Sequence, residues 1–77
     1  MEINLLVFGQ LSDITKCSEM KIAHVNDTQQ LIIKLTTQFP ELALSKYSVA
    51  VNRKVVFENT MLTDKDTVAL LPPFSGG

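Results

Sequence analysis

The chain has 77 residues, of which 45% are apolar and 19% charged, and its formal net charge is −1. This is the composition of one small globular domain rather than a disordered segment, and the near-neutral charge offers no basic surface for nucleic acid. A single cysteine, Cys17, excludes an internal disulfide, and with one histidine, His24, it cannot supply the four ligands of a structural zinc site. We therefore expect no metal.

No apolar run reaches the roughly 20 residues that a membrane-spanning helix requires. Glu2 and Asn4 interrupt the start of the chain, where a signal peptide would be basic. We therefore expect a cytoplasmic protein whose partners do not include a membrane.

The chain begins with a period of two in which the odd positions carry apolar side chains. These positions are Ile3, Leu5 and Val7. Such alternation predicts a strand with one face on a core, so Leu6 and Phe8 should point away from that core. Residues 10–17 interrupt the alternation, and Leu11 and Ile14 can anchor a helical turn there.

Alternation resumes over residues 19–22, which predicts a second strand, antiparallel to the first because the connection is short. From Thr28 the spacing of apolar residues becomes helical. The apolar positions of this helix are Leu31, Ile32, Leu35 and Phe39. Asp27 or Thr28 can cap the first turn, and Pro40 should end the helix by excluding helical geometry at Phe39.

The next segment, residues 40–48, is predicted to be a connector whose Leu42 and Leu44 lie beneath the sheet. Residues 49–57 then alternate again on either side of the pair Asn52-Arg53. An asparagine-led pair between two β-rich runs is typical of a tight hairpin turn. We expect a second hairpin whose return strand includes Val55, Val56 and Phe57.

A polar loop over residues 59–66 should be anchored by Met61 and Leu62 and end in a turn at Asp64–Asp66, before a last strand at Thr67–Leu71. The only long helix can bury its apolar stripe only against a sheet face. The fold class is therefore α+β, with a mixed sheet of four or five strands and one main helix across it. If the first and last strands are central and parallel, the arrangement is the ubiquitin-like β-grasp.

The last ten residues carry no ionisable side chain. Because Pro72 and Pro73 cannot continue a β-ladder and favour an extended path, we expect a domain over residues 1–71 and an extended arm over residues 72–77. The arm reads Pro72, Pro73, Phe74, Ser75, Gly76 and Gly77. The two small terminal glycines suit a carboxylate that must enter a narrow channel in another protein.

The whole chain resembles the MoaD/ThiS-like ubiquitin-like sulfur carriers, the family that includes the small subunit of molybdopterin synthase. The segments that carry the resemblance are residues 5–11, 39–42, 49–52 and 66–77. The closing strand followed by Pro-Pro-x-x-Gly-Gly is the most specific of them. Lys65 stands where this family usually has glycine in the turn.

The resemblance implies a carrier subunit rather than an enzyme, with active sites on its partners. A partner adenylating enzyme would use ATP to activate Gly77, which follows Gly76, and a sulfur donor would convert it to a thiocarboxylate. The large subunit of molybdopterin synthase would then pass the sulfur to a cyclic pterin precursor. No cofactor would be bound permanently. The implied partner-binding residues are Phe8, Val55, Leu71, Pro72, Pro73, Phe74 and Ser75.

Other functions remain open from the sequence. They are a sulfur carrier for thiamine thiazole synthesis, a ubiquitin-like modifier that forms isopeptides, and a plain β-grasp binding module. Cys17 has no neighbouring His or Cys in the sequence and is expected to be inert. Asp64 and Asp66 are expected to lie in a solvated turn with nothing to raise a pKa.

Overall fold

A computed structural model of the protein describes residues 1–73. Its elements are β1 (Glu2–Val7), α1 (Leu11–Thr15), β2 (Glu19–Ala23), α2 (Thr28–Gln38), a 3-10 helix (Pro40–Leu44), β3 (Ser48–Val51), β4 (Lys54–Val56) and β5 (Thr67–Leu71). The five strands of this part of the chain form one sheet in the order β2-β1-β5-β3-β4. The central pair β1 and β5 is parallel and all other neighbours are antiparallel. The sheet is mixed and one main helix crosses it, as the β-grasp prediction requires.

Helix α2 begins at a reciprocal cap. The carboxylate of Asp27 accepts the backbone N–H of Gln30 at 2.8 Å, while the Gln30 side chain accepts the backbone N–H of Asn26 at 2.8 Å. Each bond satisfies a backbone donor at the start of the helix. Pro40 follows Phe39, whose non-helical backbone, with φ −126° and ψ 82°, ends the helix as predicted.

The core lies between α2 and one face of the sheet. Its fully buried side chains include Ile3, Leu5, Leu11, Val25, Leu31, Leu35, Leu42, Val68 and Leu70. The odd positions of β1 and the even positions of β5 therefore face the helix, which confirms the predicted register of the first strand. Each such side chain contributes roughly 1.5–3 kcal/mol when it is fully buried.

Three apolar residues lie elsewhere than predicted. Leu42 is buried but Leu44 is 89% exposed, because residues two apart in a 3-10 helix point in different directions. Met61 is 71% exposed beside buried Leu62, since successive side chains of an extended segment alternate. Phe57 lies beyond the end of β4 and is 93% exposed.

Candidate functional site

The face of the sheet that points away from α2 carries an apolar row across four strands. Leu6 of β1 is aligned with Ala69 of β5, Ala69 with Ala50 of β3, and Ala50 with Val55 of β4. The two central side chains are small, and the side chains at both ends are larger. The row is therefore low in the middle and high at its sides.

This difference in side-chain size produces a depression of about 590 Å³, which we call the outer groove. Its lining residues are Leu6, Phe8, Ala50, Asn52, Arg53, Val55, Thr67, Ala69 and Leu71. Phe8 and Val55 remain 46% and 41% exposed. Among the described residues that line the groove, only Arg53 carries a charge. A contiguous apolar depression on a small monomer is typical of a binding surface.

The wall formed by β4 is held in place by the turn before it. Asn52 and Arg53 have φ values of 49° and 73°, the left-handed pair that a two-residue hairpin turn requires. The Asn52 side chain accepts the backbone N–H of Thr67 at 3.0 Å and donates to the Asp66 carboxylate at 3.0 Å. These two bonds attach the hairpin to the start of β5, so Val55 stays aligned with the floor of the groove.

The carboxylate of Asp66 has a structural role in this arrangement. It accepts hydrogen bonds from the Asn52 amide and from the backbone N–H and hydroxyl of Thr63. The Asn52 bond, followed by the Thr63 bonds, holds the pKa of Asp66 below its ordinary value. Asp64 accepts the backbone N–H of Glu2 at 2.9 Å. The lowered pKa of Asp66 is the opposite of what a general acid requires, in agreement with the predicted turn.

The groove extends to the point where the chain leaves the sheet. Phe8 and Leu71 lie at that end: the backbone N–H of Phe8 donates to Leu70 at 3.1 Å, and β5 ends at Leu71. Pro72 and Pro73 follow directly, outside any strand. Phe8, Val55 and Leu71 therefore line one groove, and the first two arm residues directly follow Leu71 in the chain.

The remaining predicted site residues of the arm lie outside the described part of the chain. They are Phe74, Ser75, Gly76 and Gly77. Their proposed roles stay predictions from the sequence.

Sequence reasoning missed four contributors to the groove, which are Ala50, Asn52, Arg53 and Thr67. Ala50 forms part of the floor, and its signal is that it lies out of phase with the core-facing residues on either side of it. The sequence pattern predicts Arg53 only as a turn residue, although it also lines the groove. No local sequence pattern indicates that a turn residue also lines a groove on the sheet.

Cys17 and His24 do not line the groove. The thiol of Cys17 is partly buried and donates to the Thr15 carbonyl at 3.6 Å, and His24 directly follows β2. Within residues 1–73, no group of three or more His, Cys, Asp or Glu side chains is arranged to hold a metal ion. The same residues contain no helix with the length and apolar character needed to cross a membrane.

A second depression of about 460 Å³ lies between α2 and β4, on the helix side of the sheet. It is lined in part by Ile33 and Phe57. The sheet separates it from the outer groove, and neither Pro72 nor Pro73 lines it.

Comparison with known proteins extends over nearly the whole chain. Residues 5–77 match the sequence model of the ThiS family. The molybdopterin synthase sulfur carrier subunit of Mycobacterium tuberculosis is 29% identical, and the match covers 100% of this chain and 99% of that protein.

Two solved structures have the same fold. Subunit 1 and 2 of the molybdopterin-converting factor of Helicobacter pylori form a protein–protein complex, and the matching chain is 30% identical with a TM-score of 0.76 and full coverage of both chains. The small archaeal modifier protein 1 of Methanosarcina acetivorans has a TM-score of 0.83 at 21% identity, covering 99% of this chain and 96% of that one. At that identity the second likeness concerns the fold alone.

Proposed function

The chain belongs to the ThiS family, and from this premise we propose that it is the sulfur-carrier subunit of a molybdopterin synthase. The relative from Mycobacterium tuberculosis is a molybdopterin synthase sulfur carrier subunit, and the one from Helicobacter pylori belongs to a complex of subunits 1 and 2 of the molybdopterin-converting factor. Both are matched over their full or nearly full length. The observation that carries the proposal is the position of the outer groove. It is apolar, partly exposed and ends where the C-terminal arm leaves the sheet.

The chemistry takes place at the carboxyl group of Gly77. A carboxylate is a poor electrophile, so a partner adenylating enzyme first joins it to the α-phosphorus of ATP with release of pyrophosphate. The terminal sulfur of a donor persulfide then attacks the acyl carbon, and AMP leaves. A thiol cleaves the resulting S–S bond, is itself oxidised to a disulfide, and leaves a thiocarboxylate on Gly77. ATP is therefore a substrate of the partner, and the carrier retains no cofactor.

The described residues of this chain contribute binding rather than catalysis. The outer groove accepts an apolar projection of the large synthase subunit, with Phe8, Val55 and Leu71 as the principal contacts. Burial of such half-exposed side chains at the centre of an interface supplies much of the binding energy. The same face serves the adenylating enzyme, since both partners must receive the same carboxyl terminus.

The division into a domain of residues 1–71 and an arm of residues 72–77 follows from this function. The domain is held by its partner while the arm carries Gly77 into the partner's active site. No side chain of the arm is ionisable, so the arm enters a closed site without desolvating a side-chain charge. Pro72, Pro73, Phe74 and Ser75 are the proposed contacts along that path, and Gly76 provides the narrow end.

Reconstitution tests this function against its alternatives. The chain is incubated with the adenylating enzyme, ATP, a persulfide donor, the large synthase subunit and the cyclic pterin precursor, and formation of the dithiolene product is followed. We expect product that depends on every component. Transfer of sulfur only to a thiazole synthase would assign the chain to thiamine synthesis, and isopeptide conjugates on lysines would make it a protein modifier. Either result without dithiolene would contradict the proposal.

A further inference from the structure

The turn that follows β1 lies in direct contact with the first residue of the arm. Gly9 has a φ of +59°, and a Cβ atom placed on it would lie 2.9 Å from Cγ of Pro72. The same atom would lie 3.7 Å and 3.8 Å from Cδ and Cβ of that ring. Real Cβ atoms essentially never lie closer than 3.0 Å to such a neighbour, so the proline ring occupies the space that a Cβ atom at position 9 would need.

Hydrogen bonds on both sides of Gly9 restrain the position of its backbone. The backbone N–H of the preceding Phe8 donates to the carbonyl oxygen of Leu70 at 3.1 Å. The carbonyl of Gly9 accepts the backbone N–H of Ser12 at 3.1 Å and its hydroxyl at 2.8 Å. Residue Leu11, one position before Ser12, is buried at 1% exposure and fixes α1 to the core. A side chain at position 9 would therefore displace Pro72 rather than the turn.

The register of the sheet explains why these two residues meet. In the parallel ladder Val7 is aligned with Leu70, and two further steps along both strands bring Gly9 opposite Pro72. The ladder cannot continue there, because proline has no N–H to donate. Beyond the end of the ladder, the Pro72 ring lies against the bare backbone of Gly9.

We propose that Gly9 is a positioning residue for the C-terminal arm: because it has no side chain, Pro72 packs on the turn after β1, and this contact sets the direction in which the arm leaves the sheet. The inference rests on the proposed carrier function, in which the carboxyl carbon of Gly77 must reach a partner's active site. Gly77 is the fifth residue after Pro72, and an extended path of five residues spans about 16 Å. A change of direction of about 10° at Pro72 would move its far end by about 3 Å over that span.

Misplacement of a reacting group by about 1 Å can cost about 100-fold in rate. Gly9→Ala should therefore lower the kcat/KM for adenylation of Gly77 at least about tenfold, measured as pyrophosphate released by the partner adenylating enzyme. Gly9→Asn separates the two properties of glycine, since asparagine tolerates a left-handed backbone but still carries a Cβ. We expect Asn to lose as much activity as Ala. Full activity of Gly9→Asn would assign the effect to backbone strain and overturn the inference.

A double-mutant cycle with Pro72→Ala isolates the contact. This substitution removes Cγ and Cδ, so adding Gly9→Ala to it should lower kcat/KM by no more than about twofold beyond Pro72→Ala alone. An equal loss from Gly9→Ala in both backgrounds would overturn the inference.

An NMR measurement makes the test independent of the partner. The parent should show nuclear Overhauser effects between the Gly9 α-protons and the Pro72 ring, and Gly9→Asn should abolish them while the Overhauser effects between β1 and β5 persist. If Gly9→Asn abolishes the signals to the Pro72 ring but is adenylated as fast as the parent, the positioning role is overturned and the carrier function stands. A parent chain that is not adenylated at all would instead overturn the proposed function, and the Overhauser effects would still decide whether Gly9 sets the position of Pro72.

Discussion

Replacement of Phe8 by aspartate should separate binding from folding, because Phe8 belongs to the outer groove rather than to the core. Its side chain is 46% exposed, and full burial of a phenylalanine contributes roughly 1.5–3 kcal/mol. About half of that stabilisation, or about 1 kcal/mol of unfolding free energy, should be lost in Phe8→Asp. The neighbouring Val7 is only 2% exposed, so Val7→Asp would bury an unpaired charge and should prevent folding.

Phe8→Asp should weaken binding to the large synthase subunit by more than it lowers the stability of the free protein. An aromatic anchor at the centre of an interface commonly contributes at least about 2 kcal/mol, which corresponds to about 30-fold in the dissociation constant. Calorimetric titration of each variant against the large subunit measures this change, and urea unfolding of the free protein measures the loss of stability.

Phe57→Asp provides the matched control. Phe57 is the same residue type, is 93% exposed and does not line the outer groove. We expect Phe57→Asp to leave the unfolding free energy and the affinity for the large subunit nearly unchanged. Equal affinities of Phe8→Asp and Phe57→Asp would refute the assignment of the groove as the binding surface, and a folded Val7→Asp would refute the register of β1.

Three further predictions concern the arm, a turn and pH. Deletion of Gly77 should abolish adenylation of the chain without changing its melting temperature, because the core lies within residues 1–71. Adenylation of the shortened chain would contradict the role of the Gly77 carboxylate. Lys65 has a φ of 69°, and this left-handed backbone costs a residue with a side chain about 1–2 kcal/mol. Lys65→Gly should therefore raise the unfolding free energy by about 0.5–1 kcal/mol, after the greater chain entropy of glycine is subtracted. A lower urea midpoint would show that the lysine is not strained. Because the pKa of Asp66 is lowered in the folded protein, its carboxylate stabilises the fold fully above the ordinary pKa of 3.8, and this stabilisation is lost as the pH falls through the folded-state pKa. Asn52→Ala should flatten this dependence of the unfolding free energy on acid, measured by urea unfolding. An unchanged dependence would exclude the Asn52 bond as its main cause.

Much of the fold follows from local patterns. The alternation of Ile3, Leu5 and Val7 determines which face of β1 is buried, and Asp27 and Pro40 mark the ends of α2, because capping and helix termination depend on neighbouring residues. The pair Asn52-Arg53 likewise predicts a tight turn at its own position. These features require no knowledge of the rest of the chain.

Features that depend on distant residues are harder to predict. The prediction that Leu44 lies under the sheet is wrong because it assumes an extended segment, whereas a 3-10 helix turns this side chain outward. The contact between Gly9 and Pro72 joins residues far apart in the chain and depends on the parallel register of β1 and β5. A glycine two residues after a strand is a weak signal for it, and only the sheet order identifies the partner.

Intact mass spectrometry of the activated protein tests the central claim most directly. The chain is incubated with the adenylating enzyme, ATP and a persulfide donor, and the product is digested to locate the added mass, with Cys17→Ser treated in parallel. We predict a gain equal to the difference between sulfur and oxygen on the peptide that ends in Gly77, in the parent and in Cys17→Ser alike. A persulfide on Cys17 together with an unmodified terminal peptide would contradict it.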